Sequence, residues 1–157
     1  MAFKNMMHND LSCSPLVLSI SSGNPSLDDL HRHAAAWNEW LNRGERFAAF
    51  RIFKDEGAYV HPPGGARERK EWFSANGERF KRHVIGMATV APAAVVNRTN
   101  KMSAERLYGV PTQSFIDTAD AVDWLLAHLR ETFAELNETA IKLRAPDLAS
   151  RAIAEVH

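Results

Sequence analysis

A chain of 157 residues has room for one domain with an ordinary hydrophobic core. Its 45% hydrophobic and 24% charged residues are typical of a globular protein, and its 19 basic residues balance its 19 acidic ones. No overall field would therefore attract nucleic acid or an anionic membrane.

The single cysteine, Cys13, excludes an intramolecular disulfide, and the Cys and His spacings match no zinc site. No run approaches the ~20 apolar residues of a membrane span, and the first ten residues lack the apolar region of a secretory signal. We therefore expect a cytoplasmic protein.

The first third of the chain predicts a leader, a strand and a helix. Residues 1–14 are polar and aperiodic, so we expect a flexible leader there. The apolar run "PLVLSIS" (15–21) predicts a strand that ends in turn residues. Ser26 then stands where a helix N-cap would, followed by two aspartates that favour the helix dipole. The apolar spacing continues to Leu41, and Gly44 predicts the end of this helix.

The central part alternates between strands and helices. "RFAAFRIF" (46–53) predicts a second strand, and the nearly continuous apolar run "HVIGMATVAP" (83–92) predicts a central strand covered on both faces. A helix from about Ala66 to Phe80 lies between them, a helix from about Pro92 to Tyr108 follows, and "PTQSFID" (111–117) predicts a last short strand. This alternation indicates an α/β sandwich with a four-stranded, mostly parallel or mixed sheet covered by helices.

The C-terminal region carries the most regular pattern in the chain. A helix capped by Asp117 or Thr118 has apolar residues at alternating spacings of four and three, which predicts a heptad seam up to a stop at Pro146. Its members are Val122, Leu126, Leu129, Phe133, Leu136, Ala140 and Leu143. The first half must cover the sheet, so we expect the domain to span residues 15–133 and a C-terminal helical extension to span 134–157. The extension either folds back on its own domain or meets a partner or second copy, with Phe133, Leu136, Ala140 and Leu143 as the oligomer interface.

Residues 45–128 resemble the STAS family, the anti-sigma-factor antagonist or SpoIIAA-like domains. The resemblance is carried by the segment "HVIGMATVAPAAVVNRTNKMSAERLYGVPTQSFIDTADAVDWL", in which an apolar strand leads into a proline-capped helix and a short strand with Phe115 leads into a D-x-x-x-A-x-x-W-L helix from Asp117. The resemblance implies a small α/β domain that docks onto another protein or a small ligand and does not imply catalysis. Members that act as phosphorylation switches carry Ser or Thr at the start of the helix after the switch loop. The corresponding "HPPGGARER" (61–69) contains no Ser or Thr, and the next hydroxyl, at Ser74, lies well inside the predicted helix, so an evident phosphoacceptor is missing.

The loop "AYVHPPGGARERKEW" (58–72) is the main candidate site. Two glycines before a helix N-terminus, followed by basic residues, could receive a phosphate or carboxylate, although the loop matches neither a phosphate loop nor a dinucleotide motif. The residues that we assign to a ligand-binding or partner-binding surface are His61, Gly64, Gly65, Arg67 and Arg69. The alternative is a plain solvated turn.

The sequence offers no set of residues for catalysis or metal binding. His31 and His33 are two residues apart, so on a helix they point to different faces and cannot share a metal. Asp55 with His61 is an imaginable acid–base pair that nothing in the sequence brings together. We therefore expect no metal and no cofactor, and favour a non-enzymatic regulatory or adaptor domain that contacts a protein partner, with a possible homodimer through the C-terminal helix. The alternative is a small-ligand-binding domain or enzyme that holds an anionic group at the helix start near Gly64–Arg69.

Overall fold

The computed structural model describes residues 7–99 and 108–155, which build one mixed five-stranded sheet with helices on both faces. The strands lie in the order β1-β2-β3-β4-β5; β1 runs antiparallel to β2, and the others are parallel. The strands are β1 (Met7–Asp10), β2 (Leu16–Ser21), β3 (Phe47–Phe53), β4 (Val84–Val90) and β5 (Thr112–Phe115). The predicted α/β architecture is confirmed, with one strand more than expected.

The additional strand is β1, which lies in the segment that we predicted to be a flexible leader. Met7–Asp10 pairs with the last four residues of β2, Leu18–Ser21. The prediction was wrong here because "MHND" has no apolar alternation. An edge strand is held mainly by backbone hydrogen bonds to its neighbour, and these leave no pattern in the sequence.

Two helices begin at the caps that the sequence predicts. The Ser26 side chain accepts from the Asp29 amide, and the Asp29 carboxylate accepts from the Ser26 amide, which forms a capping box. Asp117 likewise accepts from the Asp120 amide. The helices are α1 (Leu27–Asn42), α2 (Gly65–His83), α3 (Ala93–Thr99), α4 (Thr118–Thr132) and α5 (Glu138–Glu155), with a 3₁₀ turn at Gly57–Tyr59. Part of the predicted helix over 92–108, residues 100–107, lies outside the described residues. Among the helices described, none combines the length and apolar character needed to cross a membrane.

The predicted C-terminal heptad helix is two helices rather than one. The chain leaves the helix at Phe133, and Asn137 starts the next helix by accepting from the Ala140 amide at 3.1 Å. Arg130 spans the break by donating to Glu138, with its Nε at 2.9 Å from Oε1. The prediction that Pro146 stops the helix is also wrong, because Pro146 lies inside α5.

Because α5 is a separate helix, the part of the predicted seam that lies in α5 points away from the core. Ile141, Ala145 and Ala149 are buried in the core, and α5 packs back on α4 and β2. Of the predicted interface residues, Phe133 and Leu136 pack partly buried against the core of the same chain. The other two, Ala140 and Leu143, are exposed, and Leu143 is 73% exposed.

The sheet has two faces with different coverings. The parallel strands advance in one direction across the sheet, and right-handed crossovers then place α1 and α2 on the same side. We call this side the α1/α2 face and the other the α4/α5 face. The core of the α4/α5 face is a continuous apolar cluster that includes Leu18, Phe50, Ala88, Leu126 and Leu129.

Candidate functional site

A row of polar side chains crosses the α1/α2 face. Residues paired in register on neighbouring strands point to the same face of a sheet. The register pairs Asn9 with Ser19, Ser19 with Arg51, Arg51 with Thr89, and Thr89 with Ser114. We call these five residues the polar row. Its three central members are buried, so the middle of a covered sheet face carries an arginine flanked by two hydroxyls.

Arg51 is the charged centre of this row and is only 7% exposed. Its Nε and Nη2 donate to Thr89 Oγ1 at 3.2 and 2.9 Å. Its guanidinium carbon lies 5.6 Å from the ring centre of Phe53 and 5.8 Å from that of Tyr108. Within residues 7–99 and 108–155, no carboxylate forms an ion pair with Arg51. A buried charge without an opposite charge is costly to the fold, which makes this position a candidate binding site.

A cavity of about 500 Å³ lies over the polar row, between the sheet and helices α1 and α2. Its volume falls in the range of about 300–1,000 Å³ that is usual for small-molecule sites. Most of its lining is apolar or aromatic. The lining residues include His33, Trp37, Arg51, Tyr59, His61, Gly65, Arg69, Trp72, Phe73, Phe80, Met87 and Tyr108.

Arg69 brings a second guanidinium to the cavity from α2. Burial lowers its pKa, the neighbouring charge of Arg51 lowers it further, and Tyr108 and Tyr59 oppose this. The side chain is nevertheless exposed to solvent. Arg69 is both surrounded by protein, which lowers its pKa, and exposed to water, because its guanidinium lines an open cleft. An arginine keeps its charge at neutral pH in any such setting, so two positive charges face the cavity.

Tyr108 and two histidines respond to these charges. Burial alone raises the pKa of Tyr108, but Arg51 and Arg69 outweigh it, and its pKa lies below the usual value. Burial, then Arg69 and Arg51, lower the pKa of His61, and the same causes lower that of His33 to about 3. Both histidines are therefore neutral at pH 7.

The tautomer of His33 follows from its neighbour. Trp37 Nε1 donates to His33 Nε2 at 3.1 Å, so the ring proton lies on Nδ1. In the part of the chain that the structure describes, this buried Nδ1 has no hydrogen-bond partner.

Two carboxylates also line the cavity, and both are engaged elsewhere. Glu68 contacts the His31 ring, and Glu71 accepts from Arg67 Nε at 3.1 Å. Neither of these two carboxylates forms an ion pair with Arg51 or Arg69.

The structure brings together three of the five residues that we predicted for the site. His61, Gly65 and Arg69 line the cavity. Arg67 does not; its side chain is 85% exposed on the outer surface. Gly64 is the N-cap of α2 with φ +82°, a left-handed conformation that favours glycine.

Gly65 and Asp55 have structural roles that the sequence did not reveal. A Cβ on Gly65 would lie 2.8 Å from Leu30 Cδ1, so this glycine lets α2 approach α1 closely. Asp55 does not pair with His61. Its carboxylate accepts from the Gly23 amide at 2.9 Å and the Ala58 amide at 2.8 Å, and so joins two loops.

The sequence interpretation missed Arg51 and Tyr108. A signal for Arg51 was present, since "RFAAFRIF" places one arginine inside an otherwise apolar strand. Tyr108 had no such signal, because its role depends on tertiary contact alone. No group of three or more His, Cys, Asp or Glu side chains that could hold a metal occurs in the described residues.

Comparisons with known proteins support the fold. No protein-family model matches the chain, and no curated protein matches it significantly. Among solved structures, it is similar to a protein of the DUF3478 family from Shewanella loihica, whose fold is described as SpoIIAA-like, at 13% identity and a TM-score of 0.57, over 76% of this chain and 91% of that one. The fold is SpoIIAA-like. The resemblance stated from the sequence is therefore confirmed for the architecture, and an identity this low carries no function with it.

Proposed function

We propose that this SpoIIAA-like domain is a non-enzymatic regulatory domain that binds a small anionic ligand in the cavity of the α1/α2 face. The observation that carries this proposal is the buried Arg51, which has no carboxylate partner among the described residues. A carboxylate or phosphate on the ligand supplies the missing charge.

The surroundings of Arg51 favour an oxyanion over a cation or a neutral group. Arg69 is close enough for its charge to act on the same tyrosine hydroxyl as that of Arg51. Guanidinium groups bind carboxylate and phosphate oxygens with two parallel hydrogen bonds, and these bonds strengthen when water is partly excluded. The N-terminus of α2 at Gly65 adds positive partial charge to the same wall of the cavity.

The predicted contact with a protein partner belongs to the same proposal. Val60, beside His61 at the cavity rim, is 60% exposed, and a protein docked at the rim would cover this apolar side chain. On the far side of the domain, Leu143 is an exposed apolar residue of α5 that a second copy could cover. Ligand binding at the cavity would then control what docks at the rim.

A thermal-shift experiment tests the ligand site. The probes are inorganic phosphate, benzoate and phenyl phosphate, and the variants are Arg69→Gln and Arg67→Gln. Binding to the folded state raises apparent stability by mass action, so we expect a shift in the wild type and in Arg67→Gln that is lost in Arg69→Gln.

Arg67 is a matched control because it lies two residues away on the same helix and outside the cavity. Equal shifts in both variants would place the anion elsewhere, and no shift with any of the three probes would contradict the proposal.

A further inference from the structure

We infer that the ligand is amphipathic: its oxyanion lies at Arg51 and Arg69, and a flat apolar body extends toward Trp37, Trp72 and Phe80. This inference rests on the proposed function and adds the chemical class and the orientation of the ligand. It comes from how polar and apolar side chains are distributed along the strands of the α1/α2 face.

The α1/α2 face changes character along β3. Phe47 and Ala49, at its amino end, belong to the apolar cluster of this face, whereas Arg51 is the next residue on the same side. The neighbouring strands follow the same pattern. Val17 on β2 is apolar and is followed on this face by Ser19, and Met87 on β4 is followed by Thr89. The amino end of the covered face is therefore apolar, the row that contains Arg51 is polar and positive, and the Phe53 ring lies beyond Arg51 on the same face.

The cavity spans both ends. Met87 lines it and lies beside Ala49, two residues before Arg51, so about 7 Å separates the polar row from the first apolar row. The apolar end is walled by aromatic rings: the ring centres of Trp37 lie 6.2 Å from Trp72 and 5.4 Å from Phe80. Trp72 is the half-buried ring of the three and offers contact area to a planar ligand, while the nearly buried Trp37 and Phe80 pack behind it.

Tyr108 marks the boundary between the two ends. The Arg51 guanidinium carbon lies 5.8 Å from its ring centre, and the ring packs on Phe73 and Phe80 with ring centres 5.5 and 5.9 Å apart. A molecule of two fused rings that carries one carboxylate covers the distance from Arg51 to Met87. Its carboxylate would pair with the guanidinium, and its rings would contact the apolar end of the cavity.

The polar groups near the apolar end do not compete for the ligand. The Trp72 indole donates to Asn38 Oδ1 at 3.1 Å, and Asn76 donates to the Trp72 carbonyl at 2.9 Å. The first bond joins α2 to α1 and the second lies within α2, and together they hold Trp72 in place before a ligand arrives.

Isothermal titration with benzoate, 2-naphthoate and uncharged 2-naphthamide tests the inference, using the wild type, Arg51→Met and Trp72→Leu. In the wild type we expect 2-naphthoate to bind about tenfold more tightly than benzoate, because the second ring buries more apolar surface. Arg51→Met should weaken both anions by about tenfold and leave their ratio unchanged. Trp72→Leu should leave benzoate within about twofold of the wild type and reduce the ratio to about threefold or less.

The outcomes separate this inference from the proposed function. If benzoate and 2-naphthoate bind equally well and both depend on Arg51, the inference that the ligand is amphipathic is wrong, while the proposal of an anion site is supported. If 2-naphthamide binds as tightly as 2-naphthoate, or neither anion binds, the anion site itself fails. Circular dichroism of each variant checks folding, and Trp72→Phe, which keeps an aromatic ring, should retain most of the wild-type ratio and would replace Trp72→Leu if that variant does not fold.

Discussion

The two faces of the sheet are made by alternate residues of the same strands, yet they differ in what they hold. On β3, Phe50 is fully buried in the continuous apolar core of the α4/α5 face, while the next residue, Arg51, lies under the cavity of the α1/α2 face. The α4/α5 face is filled with apolar side chains, whereas the α1/α2 face holds a cavity with the buried charge of Arg51 at its base. The difference shows how one sheet can carry a filled core on one face and an open cavity on the other, since successive side chains of a strand point to opposite sides.

The largest effect is expected on the filled face. Phe50→Ala removes a fully buried ring, and we expect the free energy of unfolding to fall by about 3–5 kcal/mol. Urea unfolding monitored by tryptophan fluorescence measures it. The control is Leu143→Ala on the exposed side of α5, which should change stability by no more than about 0.5 kcal/mol. A loss of more than about 1 kcal/mol in Leu143→Ala would contradict the exposed placement of this side chain.

An intermediate effect is expected from His33 on the open face. Because its pKa is lowered to about 3 from an ordinary 6.5, the unfolded chain binds more protons below about pH 6.5, and stability falls as the pH falls. Between about pH 7 and about pH 5 the loss should be about 1–2 kcal/mol. His33→Gln, whose amide oxygen can accept from Trp37, should show a smaller loss over the same range. Equal pH profiles for the two proteins would contradict the lowered pKa.

The smallest effect should have the opposite sign. Arg51→Met together with Thr89→Val replaces a buried charge and its hydroxyl partner by apolar groups of similar size, and we expect a gain in unfolding free energy on the order of 1 kcal/mol. Paired thermal and urea unfolding of this variant and the wild type measures the gain. A loss of about 2 kcal/mol or more would mean that the arginine stabilises the fold, and the contrast between the faces would disappear.

Local signals in the sequence predicted the parts of the fold that depend on neighbouring residues. Ser26, Asp117 and Gly44 were identified as helix boundaries because caps and stops act within a few positions, and the apolar runs located β2, β3 and β4 for the same reason. The break before α5 had a local signal as well, the cap at Asn137, but the apolar spacing across it continues and concealed it.

The candidate site was predictable only in part, because its residues come from distant parts of the chain. Arg69 and His61 were found through their glycine-rich loop, whereas Arg51, Thr89 and Tyr108 meet only through strand register and packing. Arg67 looked equivalent to Arg69 in the sequence. Two positions along a helix rotate a side chain by about 200°, and only the placement of α2 on the sheet decides which of the two faces the cavity.

The edge strand β1 has a consequence for how the protein behaves at high concentration. The six residues of β2 are all buried, and β1 occupies the hydrogen-bonding edge along the last four of them. Removing residues 7–10 would open that edge, and an apolar strand with unpaired backbone groups is a template for intermolecular pairing. The polar "HND" of β1 presents a much less adhesive border. A chain that lacks residues 7–10 should therefore self-associate more readily at high concentration than the intact chain.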